Sequence, residues 1–330
     1  MKNILTVVLF AVGTCIAGIA GFDYVMQEDG WSGVTNLSDD GVAQYMGYGY
    51  QHTIATDTGG NVHIVWYDNR TGLNQVFYRK WSKSSRTWGP IIQVTNQTAA
   101  VYRPAVACDY SGNVHIVWYQ STSNYYGIWY KKWDVSTGTW GDSVRIYNPG
   151  GNYLNYYPSI VTRPGGDNVH VVWYGRDVAN PNNFRVKHIE YTPGSGWSSV
   201  TIIDTTPAGV TEVASVAVDK WDSVYVVWRT QVSGYYQVFY RWRNSSGLWR
   251  DIEQVSDVNP NASMFACAVA VDTAGSRVHV VWNGDIPGNT NDRIFYRSRT
   301  GAGWDSTEVV STYGNYIQYD PVVVVGSDGA

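Results

Sequence analysis

Charge is scarce in this chain. The 23 Lys and Arg and 27 Asp and Glu make up 15% of its 330 residues and leave a net charge of −4, where an ordinary soluble domain carries roughly 25% charged residues. A protein that tracks a phosphate backbone needs a basic surplus, so nucleic acid is excluded as a partner. Cysteine is nearly absent, with three residues, one of them (Cys15) inside the N-terminal apolar segment. Phenylalanine is rare as well, at 7 against 26 Tyr and 16 Trp, so most rings carry a polar handle suited to half-buried or wet surfaces. No helical periodicity of useful length occurs, and no second long apolar run follows the first. What is abundant is apolar and aromatic side chain, 44% and 15%, which rules out disorder and points to a β-rich protein with a large core.

Met1, Lys2 and Asn3 precede an apolar run over 4–20 that ends with Gly18 and Ala20 at the −3 and −1 positions of a cleavage site. The expectation is a signal peptide, 1–20, and a mature chain, 21–330, that is secreted, extracellular, periplasmic or at the cell surface, with no membrane contact after cleavage. An uncleaved anchor is the alternative, since this run lies at the lower edge of spanning length. Thr14 makes a poor lipid-attachment context for Cys15. Sequons begin at Asn36, Asn69, Asn96, Asn244 and Asn261; they matter only in a host that glycosylates secreted proteins.

A repeat dominates the rest. Asn61-Val62-His63-Ile64-Val65-Trp66 returns as Asn113-Val114-His115-Ile116-Val117-Trp118, Asn168-Val169-His170-Val171-Val172-Trp173, Val224-Tyr225-Val226-Val227-Trp228 and Val278-His279-Val280-Val281-Trp282, with Trp spacings of 52, 55, 55 and 54. A short apolar run and a tight turn such as Asp109-Tyr110-Ser111-Gly112 precede each of these segments. A third run such as Val76-Phe77-Tyr78-Arg79 and a fourth after Trp88, Trp140, Trp197, Trp249 or Trp304 follow. Each unit therefore reads as a four-stranded antiparallel meander. Units of this length that cannot bury both faces alone stack as propeller blades. The second runs, apolar almost throughout, agree.

The fold class expected is all-β: a six-bladed β-propeller in one domain, with blades over about 47–101, 102–155, 156–212, 213–264 and 265–318. A closing blade combines 21–46 with 319–330. The segment 22–31 has the interval of 295–304, a third strand followed by a fourth-strand Trp, while 321–325 repeats a first strand and 326–330 its turn. Counting one strand short of a full ring, the expectation is an incomplete sixth blade and a missing C-terminal region, with seven blades if more is missing. Cys108 and Cys267 fall at different offsets of the repeat and are expected as two buried thiols, not a disulfide.

Repetition also separates structure from function. A residue present in every blade serves packing, so His63, His115, His170 and His279 are expected to be hydrogen-bonded structural groups, too far apart around the ring to share an ion. The repeated tryptophans are expected in the core. No metal or cofactor is called for. Functional residues belong to the face where the loops between second and third strands meet the segments leading into the first strands. That face collects Tyr67, Asp68, Arg70, Tyr119, Tyr174, Arg176, Asp177, Arg229 and Asp285 from the first set, and Tyr48, Tyr50, Tyr102, Arg103, Tyr156, Tyr157, Tyr316, Tyr319 and Asp320 from the second. Rings stack on sugars, amides and carboxylates bind hydroxyls, and arginine grips an acidic sugar. The partner expected is a glycan or glycoconjugate, with Arg103, Arg176, Arg229, Tyr67, Tyr119, Tyr174, Tyr157 and Arg70 as ligand-binding residues.

With its Asn-Val-His-Val-Val-Trp strands, the chain resembles the sialidase-like superfamily of β-propellers, in particular secreted bacterial neuraminidase-type repeat proteins, over about 22–330. Its turns before the fourth strands, such as 82–88 and 134–140, keep the Thr-Trp ending of the family's Asp-box and lose its Asp pattern. Seven-bladed bacterial lectins are a looser likeness. The resemblance implies an arginine triad for a substrate carboxylate, a tyrosine nucleophile and an Asp acid/base. Here that implies Arg103, Arg176 and Arg229, then Tyr319, then Asp68, Asp177 or Asp285. Arg103-Pro104 matches the family's Arg-Ile-Pro motif without its middle residue, the three arginines come from consecutive blades, and no Tyr-Glu pair is legible. Three readings stay open: a glycan-binding propeller, a sialidase-type glycoside hydrolase, and a structural module of a larger surface protein.

Overall fold

The computed structural model describes residues 26–27, 30–31, 36–38, 44–46, 52–121, 126–148, 154–176, 183–205, 210–257, 262–286, 289–311 and 320–326. Five antiparallel sheets of four or five strands follow one another along the chain, preceded by a two-stranded hairpin. Among the described residues there is no helix. Blade 1 runs from Ile54–Thr56 through Val62–Asp68 and Gln75–Ser82 to Thr87–Trp88 and Ile92–Gln93. Blades 2, 3, 4 and 5 open with Val101–Cys108, Asn155–Thr162, Thr211–Val218 and Met264–Val271. The first three strands of each sheet pair in sequence, as a meander requires, and the short segments that follow, such as Thr87–Trp88 and Ile92–Gln93, both pair with the third strand. The fold is a β-propeller.

Apolar second strands form because both faces of a blade are covered. The cluster of Val65, Val76, Tyr78 and Val94 from blade 1 with Val106, Ile116 and Trp118 from blade 2 spans two sheets, and comparable clusters join each later pair. Trp118, Trp173, Trp228 and Trp282 are fully buried, and Trp66 nearly so. These five tryptophans hold equivalent places, opposite Phe77, Trp129, Lys187, Phe239 and Phe295 of their third strands. Cys108 and Cys267 are free thiols, and burial pushes Cys267 up to about 12.

Parts of the two segments expected to close the ring lie among the described residues. Met26–Gln27 pairs with Gly30–Trp31, Met26 facing Trp31 as Arg299 faces Trp304 in blade 5. Leu37 then stands where Val94 and Val255 stand in complete blades: its carbonyl accepts from Arg79 Nη1, as theirs accept from Lys131 and Arg297. The expected first strand over 321–325 is not formed. Residues 320–326 carry no ladder, and Val322 and Val324 are exposed. A segment becomes a strand only when a neighbour pairs with it, and 320–326 makes no such pairing. Segment 1–20, residues 22–25 of the expected third strand and the turn over 327–330 lie outside the described residues.

Candidate functional site

One backbone device shapes the axial face. At the start of the first strands, Arg103, Tyr157, Val213 and Asp320 adopt left-handed φ values of 51°, 49°, 55° and 48°. In blades 2, 3 and 4 the ladder slips at that point, between Tyr102 and Ala105, Tyr156 and Ser159, and Glu212 and Ala214. These are β-bulges, which redirect a side chain at a rim. Non-glycine residues avoid this conformation, yet it recurs at the bends of blades 2, 3 and 4, whereas the first strand of blade 5 slips between Met264 and Cys267 without it. Asp320 keeps it although its strand is not formed.

The bulges and the ends of the second strands build a floor of tyrosines across blades 1, 2 and 3. Tyr67 meets Tyr102 edge-on at 5.7 Å, and Tyr102 stacks on Tyr119 at 5.4 Å. Tyr119 contacts Tyr126, Tyr156 and Tyr157 at 5.5–5.8 Å. Tyr174 follows at 5.6 Å from both Tyr156 and Tyr157, and Phe184 closes the row. Burial raises the Tyr119 and Tyr174 phenols far above their ordinary values, so both stay neutral hydrogen-bonding groups.

Charge gathers over this floor. Burial pushes the Asp320 carboxyl above its ordinary value, and the positive charges of Arg103 and Arg229 act on it in the opposite sense. Arg103 lies over the Tyr157 ring at 5.5 Å and donates to the Met46 carbonyl. Arg229 lies over Tyr236 at 4.5 Å and pairs with Glu212 at 2.5 Å. Glu212 also acts on the Tyr174 phenol, adding to the rise. The arginines of blades 2 and 4 therefore bear on one carboxyl. Arg176 of blade 3 lies over Phe184 at 5.9 Å and its positive charge acts on the Tyr156 phenol, while its Nε is buried with no partner among the described residues.

The acid/base candidates fall in different places. Asp68 is fully buried, accepting from Trp66 Nε1 at 2.9 Å and from Arg70 Nη2 at 2.6 Å, with Arg70 Nε on both oxygens. Its lone pairs are occupied, and Arg70 is spent on it, so this pair is a brace of the blade 1 loop. Asp285 sits near the end of the second strand of blade 5 beside Asp292, whose carboxyl is raised to about 6 by burial and by its hydrogen bond with Asp285. Asp177, Tyr319, Tyr48, Tyr50 and Tyr316 lie outside the described residues. Glu212, Asp292 and Phe184 were not singled out from sequence. Glu212 occupies the place of Tyr102 and Tyr156, so a break in the repeat was the available signal.

The repeated histidines lie towards the opposite face, in hydrogen-bonded chains. His63 Nδ1 meets the Tyr78 hydroxyl at 2.7 Å and Nε2 meets Asp57 at 3.1 Å; His115 repeats this with Tyr130 and Asp109. In blade 3 His170 bonds His188 and Asp222, and ligand atoms of His170, Glu190 and Asp222 lie within 4.8 Å of one another. The Arg243 guanidinium, 2.6 Å from Glu190, already supplies the positive charge there.

No family model matches the sequence, and no curated protein matches it. Solved structures do share its fold. A protein of unknown function from Dyadobacter fermentans superposes with a TM-score of 0.57 at 14% identity, covering 83% of this chain and 87% of that one. The intramolecular trans-sialidase of Ruminococcus gnavus, solved with oseltamivir carboxylate, gives 0.52 at 9% identity over 81% and 87%. The α-L-arabinofuranosidase Arb93A of Fusarium graminearum, solved with an iminosugar inhibitor, gives 0.52 at 14% identity over 83% and 87%. At such identities the likeness is one of architecture.

Proposed function

We propose that the protein is a secreted glycan-binding propeller of sialidase-like type, with the axial face as its binding surface and an acidic sugar as its ligand. The observation that carries this reading is the continuous row of tyrosine rings across blades 1, 2 and 3 with the Arg103 guanidinium lying over one of them, Tyr157, at 5.5 Å. A sugar carboxylate entering there meets the Arg103 guanidinium, with Arg229, paired to Glu212, adding positive charge nearby, while its ring lies on neutral tyrosines whose hydroxyls donate and accept. Fold neighbours named as a trans-sialidase and an arabinofuranosidase agree with carbohydrate as the ligand class. On a glycan array, the mature chain should retain acidic glycans. Arg103→Ala and Arg229→Ala should each weaken them by about 1.5–3 kcal/mol, the usual worth of a hydrogen bond to a charged group. Unchanged affinity in both variants overturns the reading.

A second reading, a glycoside hydrolase, is favoured by one observation: Asp292, raised to about 6 beside Asp285, is poised as a general acid near neutral pH. Turnover of a fluorogenic sialoside that Asp292→Asn abolishes supports hydrolysis. Binding of the same sialoside without turnover leaves the binding reading.

A further inference from the structure

Blade 4 breaks the repeat at two facing positions. Where the second strands of the other blades carry His63, His115, His170 and His279, it carries Tyr225. Opposite those histidines stand Lys80, Lys132, Glu190 and Ser298, whereas Trp242 stands opposite Tyr225. The two new rings lie parallel, 6.0 Å apart with 6° between their planes.

The exchange strands a hydroxyl. In blades 1, 2 and 5 a third-strand tyrosine, Tyr78, Tyr130 or Tyr296, bonds the histidine Nδ1 at 2.7–2.8 Å. Tyr240 holds the same place in blade 4, opposite Val227 as Tyr78 is opposite Val65. Tyr225 gives its own hydroxyl to Asp219 at 2.9 Å. No hydrogen bond joins the Tyr240 hydroxyl to a described residue, yet it is not among the unpaired side-chain atoms sealed from solvent, so its oxygen opens on the cleft although the residue as a whole is only 1% exposed. Such a hydroxyl takes its hydrogen bonds from water or from a ligand that enters the cleft.

Tyr240 lines a cavity of about 150 Å³ in the cleft between blades 4 and 5, with Tyr225, Trp242, Ser276, Arg299 and Thr300. Ser276 belongs to the turn between first and second strands and Thr300 ends the third strand beside the turn to the fourth, so the cleft opens on the face opposite the axial loops. Gly275 lets the blades approach this closely, because a Cβ there would collide with Asp219 Oδ2. Sites for drug-sized ligands run to roughly 300–1,000 Å³, so this one admits a single ring. Arg299 is held by Glu253 through Nη2 at 2.9 Å and Nε at 3.1 Å, so its charge is already matched. Ser276 gives its proton to Asp272 and keeps lone pairs, Thr300 accepts from the Ala302 N–H and keeps a proton, and the Tyr240 hydroxyl both donates and accepts, so the three together complement a sugar hydroxyl. The rings offer an apolar surface for the face of a pyranose.

We propose that this cleft binds one neutral pyranose unit, at a site separate from the axial face. Saturation-transfer NMR with methyl hexopyranosides should show contact with the wild-type protein, abolished in Trp242→Ala. Tyr240→Phe should weaken the affinity at least fivefold while leaving both thermal stability and acidic-glycan binding at the axial face unchanged. Silence of every hexoside, full affinity in Tyr240→Phe, or occupation of the cleft by adenosine in place of hexosides overturns the proposal. Loss of the axial reading with hexoside binding intact leaves it standing.

Discussion

A tyrosine hydroxyl meets two fates in this ring, and they are separable by a single-atom deletion. Tyr78→Phe or Tyr130→Phe leaves the Nδ1 of His63 or His115 buried and unpaired, and each should lower the unfolding free energy by about 1–3 kcal/mol in denaturant titrations. Tyr240→Phe removes a group with no internal partner and should leave it unchanged. An equal loss in all three variants would show that the histidine bond contributes nothing. Repetition made the histidines legible in sequence as structural groups, because each returns in register with its Trp. Glu212 was not legible in that way. Its meeting with Arg229 depends on a bulge whose direction neither composition nor period reveals.

Between elements, a second recurrent device joins the blades. Arg79, Lys131, Arg241 and Arg297 occupy one third-strand position and reach the carbonyls of Leu37, Val94, Ile203 and Val255 in the preceding blade. Blade 3 carries Ile189 there, opposite Val171 as Arg241 is opposite Val226, and relies on apolar packing against blade 2. Arg297→Met keeps most of the apolar stem and orphans the Val255 carbonyl. A loss of about 1.5–3 kcal/mol in chemical unfolding is expected, and an unchanged midpoint would mean that the strap is idle. Strand identity was legible from apolar runs and turns, whereas pairing was not. The run 321–325 has a first strand's composition and Asp320 its left-handed start, yet a ladder needs hydrogen bonds from a neighbour that a strand's own residues do not specify.

For the molecule as a whole, the propeller was legible because its period is written in tryptophan spacing, but its response to acid emerges only when burial is known. Burial is the largest influence on His52, His63, His188 and His279, and each is held below the ordinary histidine value of 6.5, His52 at about 4. As pH falls through 6.5 the unfolded chain takes up protons at these positions that the native state refuses, so stability falls with pH across the window from about 6.5 to 4. The carboxylates act in a lower window. Burial works to raise Asp57, Asp109 and Asp222, but hydrogen bonds from Asn61, from His115 and Asn113, and from His170 and Asn168 hold them below 3.8, so their contribution persists until the pH drops beneath that value. Calorimetry should therefore show a Tm that declines from pH 7 to pH 4.5, less steeply than the histidines alone would give, because the Asp292 carboxyl, raised to about 6, takes up its proton first in the native state and opposes the fall. His52→Asn should make the decline shallower, since asparagine tolerates the left-handed backbone at that position, where φ is 51°. A wild-type Tm that stays level over this range would mean that the buried histidines accept protons in place, and the desolvation argument for them would fail.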